Sequence, residues 1–527
     1  MPAEDTSGSM ATTSGTSSQK SEISTTDTTS TGVTQYFEYE PLAEFLTGVE
    51  DVQKYNEGGH HPVVLDDVLD GRFMVVHKLG SGGFGTVWLC RELSSEKWRA
   101  VKVMAASHSS GGSEQNIFRY LRSHCSAEEL EENHITMPLE EFWIQGPNGC
   151  HRCLVMPVLG CSVADWRMLQ VDYEEQTGID TKKVCRQIIK SMRFLHSHGI
   201  CHGDLKPANI LMKVEGIDDL DLDQIMELMG EPDCYLTEPY PGHDPGDRAP
   251  EYLIAPADPT WSETLVTGSI AIIDFGESFF IGNPPESTGI PNLYAAPEIL
   301  IRGAYTPGLY SDIWSLACTL FEVRTGESLF GCMVGNNDLY ITLTKIEYYI
   351  GLLPPLYSEL LSGLRRRRRG SPSPNAEPIA RVGSSMSFSS SELQALATRL
   401  DKLTEMRNEF VEGSGYSDVF EATLGMEQTR YRDVRGPNPE PMKFRLARKE
   451  VIELSDLLRR MLRYDPAERL NIDAVMSHPW IATTKREHRA IMSFMPMIRF
   501  LARHTCCNST LGSYLAYDLV KPRDIKY

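Results

Sequence analysis

Short runs of hydrophobic residues interrupted by polar ones fill the stretch between residues 72 and 160, and their length is typical of β-strands. They read RFMVVHKLG, GTVWLCREL, WRAVKVMA and CLVMPVLG, and turn residues such as Gly82, Gly83 and Ser94 separate them. Between the third and fourth runs, SEQNIFRYLRS places Ile117 and Leu121 at helical spacing. The pattern therefore predicts an antiparallel meander that contains one helix.

Beyond Asp165 the hydrophobic period becomes mainly helical. The segments TKKVCRQIIKSMRFLHSHGI and RKEVIELSDLLRRML are examples of this period. A sheet-rich region followed by a helix-rich region predicts an α+β fold with two lobes. We expect a small antiparallel β lobe with one helix and a larger, mainly helical lobe.

Composition divides the chain further. The first 34 residues are more than half Ser and Thr, so they lack the aliphatic bulk for a core and are expected to be disordered. Residues 212–265 hold fourteen acidic and two basic side chains, which indicates an acidic insert. The predicted regions are a disordered N-terminus 1–54, a small lobe 55–158, a large lobe 159–482 with inserts 212–265 and 364–445, and a C-terminal tail 483–527.

The second insert contains a basic run followed by a predicted helix. In SSSELQALATRLDKLTEMRNEF, one face carries Leu393, Leu396, Leu400, Leu403 and Phe410. We expect this helix to pack onto the body of the protein rather than to bind a partner helix. The preceding run Arg365–Arg369, with GSPSP after it, is interpreted as a solvated basic turn or a nuclear import signal. An alternative is that it competes with arginine-rich substrates.

Charge and hydropathy restrict the possible partners and compartments. The formal net charge of −21 at pH 7 favours basic partners and argues against general nucleic-acid binding. No run of about 18 apolar residues occurs, and MPAEDTSGSM lacks the pattern of a secretory signal. The twelve cysteines are irregularly spaced, as expected for reduced thiols. We expect a monomer in the cytoplasm, the nucleus or both, with no membrane contact.

The stretch LGSGGFGTVW has GxGxxG spacing and continues as a strand. In dinucleotide-binding folds such glycines open a helix, so a loop that covers phosphates from a hairpin is the better interpretation here. Downstream, AVKV places Lys102 in a strand, where its ammonium can contact the α and β phosphates, and Glu114 is its predicted ion-pair partner. The predicted nucleotide contacts in this region are Leu79, Gly80, Ser81, Gly82, Gly83, Phe84, Gly85, Val87, Ala100, Lys102 and Glu114.

A second group of polar residues has the chemistry of phosphoryl transfer. In HGDLKPANIL, Asp204 is predicted to orient the substrate hydroxyl and accept its proton, while Lys206 neutralises the transferring phosphoryl group. Asn209 and Asp274, which follows an apolar run in SIAIIDFGESF, are predicted Mg²⁺ ligands. These residues imply a phosphotransferase that uses ATP and Mg²⁺.

The order of glycine loop, AVK, HxDxKxxN, DFG and APE resembles that of the protein kinases. The APE triplet ends at Glu298, whose predicted partner is Arg469; Asp312 in SDIWSLACTLFE is predicted to be structural rather than catalytic. LKPAN is the form found in Ser/Thr-specific members. The resemblance implies a Ser/Thr protein kinase.

The segment YNEGGHHPVVLDDVLDGRFMVVHKLGSGGFGTVWLC resembles the opening segment of SR-protein kinases. CLVMPVLG is similar to their hinge, which implies that Met156 is the gatekeeper of the nucleotide site and that the Pro157 carbonyl and the Leu159 N–H contact the adenine. The same resemblance implies arginine- and serine-rich protein substrates, docked on acidic residues near NNDLYITLTKIEYYIG, with Asp338 and Glu347 as candidates. Ala295 departs from the family, which often has arginine just before its APE-like triplet.

Gly203 stands where most enzymes with such a loop carry an arginine that binds a phosphate on the activation segment. SR-protein kinases also lack this arginine, so its absence implies a different control rather than an inactive site. Replacing Ser278, Ser287 and Thr288 together with alanine is therefore expected to leave most of the kinase activity. A pseudokinase scaffold and a Ser/Thr kinase of another branch are the alternative functions.

Overall fold

The computed structural model describes these residues: 27–28, 34–35, 39, 48–110, 112–169, 174–240, 246–300, 306–331, 338–355, 357, 364, 390–432 and 440–482. The run Arg365–Arg369 and the tail 483–527 lie outside them.

The strands, in chain order, are β1 (Asp27–Thr28), β2 (Thr34–Gln35), β3 (Val68–Leu69), β4 (Phe73–Gly82), β5 (Gly85–Glu92), β6 (Lys97–Met104), β7 (Glu140–Gly146), β8 (Gly149–Met156), β9 (Leu159–Ser162), β10 (Ile200–Cys201), β11 (Ile210–Val214), β12 (Cys234–Leu236), β13 (Tyr252–Ile254), β14 (Val266–Ile272), β15 (Phe279–Phe280), β16 (Gln428–Arg432) and β17 (Glu440–Phe444).

The helices are α1 (Ala106–Ser109), α2 (Ser113–His124), α3 (Ala127–Glu132), α4 (Val163–Leu169), α5 (Glu174–Ser197), α6 (Leu222–Met229), α7 (Pro297–Leu300), α8 (Leu309–Thr325), α9 (Leu339–Ile350), α10 (Ser390–Ser414), α11 (Val419–Gly425), α12 (Arg448–Met461) and α13 (Ile472–Met476). Single 3₁₀ turns lie at Val52–Lys54, Pro207–Asn209, Ile217–Asp219, Pro259–Ser262 and Pro466–Glu468. None of the described helices is long and apolar enough to cross a membrane.

The first of two compact units comprises Met1–Ser110, Glu140–Val155 and Gly230–Ala257. It is built on a six-stranded sheet with the order β3-β4-β5-β6-β8-β7. Neighbours β3–β4, β4–β5, β5–β6 and β7–β8 pair antiparallel, as the short hydrophobic runs predicted. Val101 and Val103 of β6, on either side of Lys102, are buried in the core of this sheet, because side chains two apart on a strand point to the same face.

Part of the acidic insert belongs to this first unit. Residues 212–265 were predicted to lie within the larger lobe, but residues 230–257 belong to the unit that contains the sheet. Strands β12 and β13 form a hairpin, and Ile254 at its end is buried in the core of the sheet. Acidic composition did not indicate this location because the few apolar residues of the insert decide where it packs.

The predicted disorder of residues 1–54 is wrong at its C-terminal end. Residues 48–54 are described, and Val52 is buried together with Tyr39, Tyr55 and Leu253 of the insert. The carboxylate of Glu50 forms an ion pair with Lys78, and both side chains are buried. These contacts come from distant parts of the chain, so the composition of the N-terminus could not predict them.

The second unit comprises Gly111–Leu139, Met156–Met229 and Asp258–Tyr527. Helix α8 is buried along almost its whole length, and it packs against α5 and α12. A small sheet with the order β14-β11-β9 lies beside α4 and α5. Helix α2, which the sequence analysis expected in the small lobe, clusters with this second unit. The two units give the predicted α+β fold, one rich in sheet and one mainly helical.

The predicted helix of the second insert forms α10 and packs onto the second unit. Its Phe410 ring lies 6.4 Å from the Tyr348 ring of α9, and Arg407 Nη2 donates to the Tyr349 carbonyl at 3.3 Å. Phe410 and Leu403 are half-buried. The C-terminal half of this helix therefore packs onto the second unit, as expected, whereas the side chains of Leu393, Leu396 and Leu400 lie outside the described residues.

From the buried His60 and the half-buried His61 we predict that acid destabilises the first unit. Burial lowers the pKa of His60 and of His61 to about 4 each, helped by the charge of Lys54 near His60. In the unfolded chain each imidazole takes up a proton near pH 6.5. Stability is therefore complete above pH 6.5 and declines as the pH falls toward 4.

We expect the free energy of unfolding of the first unit to fall by roughly 1 kcal/mol or more between pH 7.5 and pH 5.5, as measured by urea titration. His60→Phe keeps the edge contact with the Tyr55 ring and should reduce this fall. An equal pH dependence in wild type and variant would contradict the assignment to His60.

Candidate active site

The glycine loop is the tip of the β4–β5 hairpin. Gly80 pairs with Val87 and Gly82 with Gly85, which leaves Gly83 and Phe84 in the turn. No heavy atom lies within 4 Å of the position that a Cβ would take at Gly80, Gly82 or Gly83. The backbone of the hairpin tip is thus open for a ligand to approach.

Gly85 is a glycine for a different reason. Its φ is +148°, and a Cβ there would lie 2.1 Å from the carbonyl oxygen of Val103 on β6. Only glycine fits this close packing of two strands. One member of the GxGxxG pattern is therefore required by the sheet itself.

The structure brings three predicted nucleotide contacts to one face of the sheet. Val87 pairs with Lys102, and Leu89 pairs with Ala100. Cross-strand partners, and residues two apart on a strand, share a face, so Val87, Ala100 and Lys102 do so. Leu79 and Ser81 lie half-buried on β4, and Phe84 contacts the His108 ring at 5.0 Å.

Other predicted nucleotide contacts lie in the second unit. Glu114 is buried in the first turn of α2, whereas Lys102 lies in the first unit, so their ion pair stays a prediction. Met156 and Pro157 are half-buried at and after the end of β8, and Leu159 pairs with Lys213 at the start of β9. The predicted roles of these three residues in adenine binding also stay predictions.

The loop that contains HGDLKPANIL is anchored on α8. Asp312 accepts hydrogen bonds from the backbone N–H groups of His202 at 2.7 Å and of Gly203 at 3.0 Å. Its carboxylate also lies 3.1 Å from Nε2 of His196. A buried carboxylate with three partners fixes the backbone directly before Asp204.

Asp204 has one occupied and one open carboxylate oxygen. Oδ2 accepts from Lys206 Nζ at 2.5 Å and from Asn209 Nδ2 at 2.9 Å. Oδ1 is buried and has no hydrogen-bond partner among the described residues. An unpartnered buried acceptor is costly, so its presence indicates a place for a donor that arrives with a ligand.

Asn209 and Asp274 present oxygen atoms of the kind that Mg²⁺ prefers. Because Asn209 Nδ2 donates to both the carbonyl and Oδ2 of Asp204 at 2.9 Å, the amide oxygen faces away from that loop. Asp274 follows β14 with φ +62°, a conformation that is strained for a residue with a side chain and is frequent at functional sites.

Phe275 connects the DFG segment to the rest of the second unit. Its buried ring lies 5.5 Å from Phe118 of α2 and 5.5 Å from His202. His202 Nε2 also lies 3.1 Å from the Ile273 carbonyl. Packing therefore joins α2, the DFG segment and the HGDLKPANIL loop.

The activation segment approaches this loop closely at Gly203. The φ of Gly203 is +79°, and a Cβ would lie 2.2 Å from the carbonyl oxygen of Glu277. Next to it, Ser278 Oγ donates to the His202 carbonyl at 2.7 Å. A backbone contact and one hydroxyl thus join the activation segment to the loop at the position of the missing arginine.

The structure changes the interpretation of the three hydroxyl residues. Ser278 is fully buried, so it is a structural contact and is not accessible for phosphorylation. The Thr288 hydroxyl oxygen is buried without a hydrogen-bond partner among the described residues, and Ser287 is exposed. Glu277 Oε2 accepts from the Gly289 N–H at 2.7 Å, which joins two points of the segment.

Glu298 and Arg469 form a buried ion pair with two contacts of 2.6 Å. Ser311 Oγ donates to Glu298 at 3.0 Å, and Arg469 donates to the Tyr310 carbonyl at 2.8 Å. The guanidinium also lies over the Trp314 ring. This fully partnered pair fixes α7 to α8 and to the segment before α13. Ala295, just before the triplet, is buried.

The two candidate docking residues both lie at or in α9, and substrate docking at Asp338 stays a prediction. Asp338 is its N-cap and accepts from the Ile341 N–H at 3.1 Å. Glu347 is 3% exposed, so its carboxylate cannot reach a substrate on the surface. The expectation for Glu347 is therefore wrong, because helical burial was not visible in the charge pattern.

Sequence reasoning missed Glu277 and Ser278 as residues that hold the site. Both follow DFG directly, but nothing in their spacing indicates a partner. The signal was Gly203 itself, since a glycine where related loops carry a larger residue indicates a left-handed backbone or a close approach.

Comparison with known proteins agrees with this geometry. The protein kinase domain model matches residues 73–232 and 261–481, more than half of the chain. The chain belongs to the protein kinase family.

Several named protein kinases are similar to it. SRSF protein kinase 3 of Homo sapiens is 34% identical over 186 residues, or 33% of this chain and 32% of that protein. The serine/threonine-protein kinase SRPK of Physarum polycephalum is 26% identical over 443 residues, covering 82% of this chain and 91% of that protein. The dual specificity protein kinase lkh1 of Schizosaccharomyces pombe is 26% identical over 290 residues, with 55% and 36% covered. The matches to SRSF protein kinase 3 of three mammals span between 30% and 32% of those proteins.

Proposed function

We propose that this protein is a serine/threonine protein kinase that transfers the γ-phosphoryl group of ATP to arginine- and serine-rich proteins. The proposal rests on the two oxygen atoms of the Asp204 carboxylate. Oδ2 accepts hydrogen bonds from Lys206 and Asn209, whereas the buried Oδ1 has no partner among the described residues. A pseudokinase scaffold has no need to keep a buried acceptor without a partner.

The chemistry assigns one task to each residue of this loop. The substrate hydroxyl donates to Asp204 Oδ1, its oxygen attacks the γ-phosphorus, and the bond from that phosphorus to ADP breaks. The hydroxyl proton passes to Asp204. The Lys206 ammonium offsets the negative charge of the transferring group, and Asn209 keeps the Asp204 carboxylate in one orientation.

Residues of the first unit are assigned to phosphate binding. The open backbone of Gly80, Gly82 and Gly83 can present amide groups to phosphate oxygens, and the Lys102 ammonium supplies positive charge. Phosphoryl transfer needs little covalent help, so positioning and charge supply most of the rate.

Mg²⁺ fits the residues present. When bound, it neutralises phosphate charge. Asn209 and Asp274 would hold it, with one amide oxygen and one carboxylate. In the described part of the chain, no three His, Cys, Asp or Glu residues form a metal-binding group, and Mg²⁺ typically uses one or two carboxylates together with substrate phosphates.

The substrate class is supported by charge and by similarity. The net charge of −21 attracts basic partners, and two of the similar proteins are named for SR-type kinase activity. LKPAN supports Ser/Thr rather than Tyr as the acceptor.

A peptide comparison tests the proposal. We expect an arginine–serine repeat peptide to be phosphorylated on serine with kcat/KM about tenfold above that of a lysine–serine peptide of equal charge, because guanidinium groups bind carboxylates in a bidentate manner. The measurement is transfer of labelled γ-phosphate. A tyrosine-containing version of the peptide serves as the control for acceptor type.

The outcomes separate the alternatives. Absence of transfer to every peptide would leave the pseudokinase scaffold as the better account. Transfer with equal preference for the lysine and arginine peptides would indicate a kinase of another branch. Efficient transfer to tyrosine would indicate dual specificity.

A further inference from the structure

The strand that carries the glycine hairpin has an edge that the sheet does not cover. β4 pairs with β5 along its length, but β3 pairs only with Phe73 and Met74 on the other side. From Val75 to Gly82, this second edge therefore has no strand partner in the six-stranded sheet. An uncovered edge leaves backbone N–H and C=O groups without partners, so other segments of the chain have to replace the missing strand.

Residues 48–67, here called the N-terminal arm, cover much of that edge. Asp66 N–H donates to the Val75 carbonyl at 3.0 Å, and Val75 N–H donates to the Asp67 carbonyl at 2.8 Å. Closer to the hairpin tip, Ser81 Oγ donates to the Gly48 carbonyl at 3.0 Å. The arm thus contacts β4 at both ends of the uncovered stretch.

A buried charge fixes the arm between these two ends. Lys78 of β4 pairs with Glu50 of the arm, and their side chains are 0% and 1% exposed. Tyr55 O–H donates to Glu50 Oε1 at 2.6 Å, and the Lys78 ammonium lies 5.2 Å from the centre of the Trp88 ring. A buried charge cannot lose its partner cheaply, so the pair holds the arm in one register on β4.

The acidic insert completes the cover. Ala257 N–H donates to the Lys78 carbonyl at 2.8 Å, on the same residue that Glu50 binds. Ile254 packs with Phe73 and Val75 in the core of the sheet. The end of the insert is therefore part of the β4 environment, although more than 170 residues separate it from β4 in the sequence.

Side chains also join the insert to the arm. The Leu65 N–H of the arm donates to the Tyr252 hydroxyl at 3.3 Å. Asn148, in the turn between β7 and β8, donates to the carbonyls of both His60 and Arg248 at 2.7 Å. The arm, the insert and this turn thus form one hydrogen-bonded assembly.

We propose that the N-terminal arm and residues 230–257 form a brace that fixes β4 and the glycine hairpin, so that the acidic insert is a positioning element for ATP. No heavy atom lies within 4 Å of the position that a Cβ would take at Gly80, Gly82 or Gly83, so the strands that carry these glycines set their position. This inference rests on the proposed use of ATP.

The double variant Asn148→Ala with Tyr252→Phe tests the brace. It removes three side-chain hydrogen bonds of the insert and arm, and it changes neither β4 nor any predicted nucleotide contact. We expect KM for ATP to rise about five- to tenfold with kcat changed less than about twofold, because a loosened hairpin weakens ground-state binding. Amide hydrogen exchange of residues 80–85 should accelerate together with that of residues 230–257.

Leu236→Ala is the matched control, since Leu236 lies on the same insert but is 71% exposed; its KM for ATP should equal that of the wild type. If the double variant fails to fold, Tyr252→Phe alone, which deletes one oxygen atom, carries the same measurements. Two results for the double variant would overturn the brace. One is faster amide exchange of residues 230–257 with an unchanged KM for ATP, and the other is a fall in kcat without a rise in KM for ATP. A wild type without ATP-dependent transfer would instead reject the proposed function.

Discussion

Asp204→Asn is expected to lower kcat for phosphotransfer by about a hundredfold to ten-thousandfold, the range that general acid–base catalysis contributes. The substitution keeps the size of the side chain and the bonds that Lys206 and Asn209 make to its second oxygen. It removes the charge that accepts the hydroxyl proton at Oδ1. KM for ATP should stay nearly constant, because the first unit is assigned to phosphate binding.

The measurement is steady-state transfer to an arginine–serine peptide, together with thermal unfolding to show that the fold is retained. Asp223→Asn is the control, since it removes an exposed carboxylate of α6 and should leave kcat unchanged. Asp274→Asn should lower kcat by a comparable factor and weaken the dependence on Mg²⁺ concentration. Wild-type turnover in Asp274→Asn would remove the metal assignment, whereas wild-type turnover in Asp204→Asn would remove the proton-acceptor assignment.

Gly203→Arg, which introduces the residue that many kinases carry, is expected to lower kcat/KM roughly a hundredfold rather than to add a new control. A left-handed backbone costs a residue with a Cβ about 1–2 kcal/mol. The Cβ would also collide with the Glu277 carbonyl and displace the activation segment from the loop that holds Asp204. A displacement of about 1 Å near catalytic groups can reduce the rate a hundredfold.

Two alanine variants isolate the cause. Gly203→Ala adds the Cβ without a charge, so it should lose nearly as much activity as Gly203→Arg. Gly216→Ala has a similar φ of +80° but no atom within 4 Å of the new Cβ, so it carries the backbone cost alone and should keep its activity. Full activity in Gly203→Ala, or recovery of Gly203→Arg after phosphorylation by another kinase, would show that the close approach at Glu277 is not required.

The contacts of the activation segment give a physical reason why position 203 needs no arginine. In the described structure, the activation segment is held by the Ser278 hydroxyl, by the backbone at Glu277 and by the bond from Gly289 to the Glu277 carboxylate. None of these contacts requires a phosphate. The arrangement is consistent with activity that does not depend on phosphorylation of the exposed Ser287.

Local chemistry was the part of the site that the sequence predicted well. The strand and glycine pattern of LGSGGFGTVW correctly indicated a hairpin, since turn residues and alternation are local properties. The spacing in HGDLKPANIL placed Asp204, Lys206 and Asn209 in one loop, where they contact each other. The helix α10 was also predicted from its hydrophobic face, and its residues Arg407 and Phe410 do contact α9.

Contacts between distant residues were not predicted. Glu347 is acidic in the sequence, but the fold buries it in α9. Ser278 resembles a phosphorylation site, but its hydroxyl holds the His202 carbonyl. Charge and hydroxyl chemistry do not show which groups become buried, because burial depends on the packing of other segments.

The sequence by itself determined the family and the α+β class and placed the candidate reactive residues in short motifs, because each motif holds its chemistry within a few residues of backbone. Only the tertiary structure decided why residue 203 is a glycine, since the reason is a carbonyl oxygen more than 70 residues away in the sequence. It also decided that the acidic insert belongs with β4. There the buried Ile254 and the Ala257 N–H, rather than the net charge, determine the position, because burial and hydrogen bonding act over contact distances that a linear pattern does not contain.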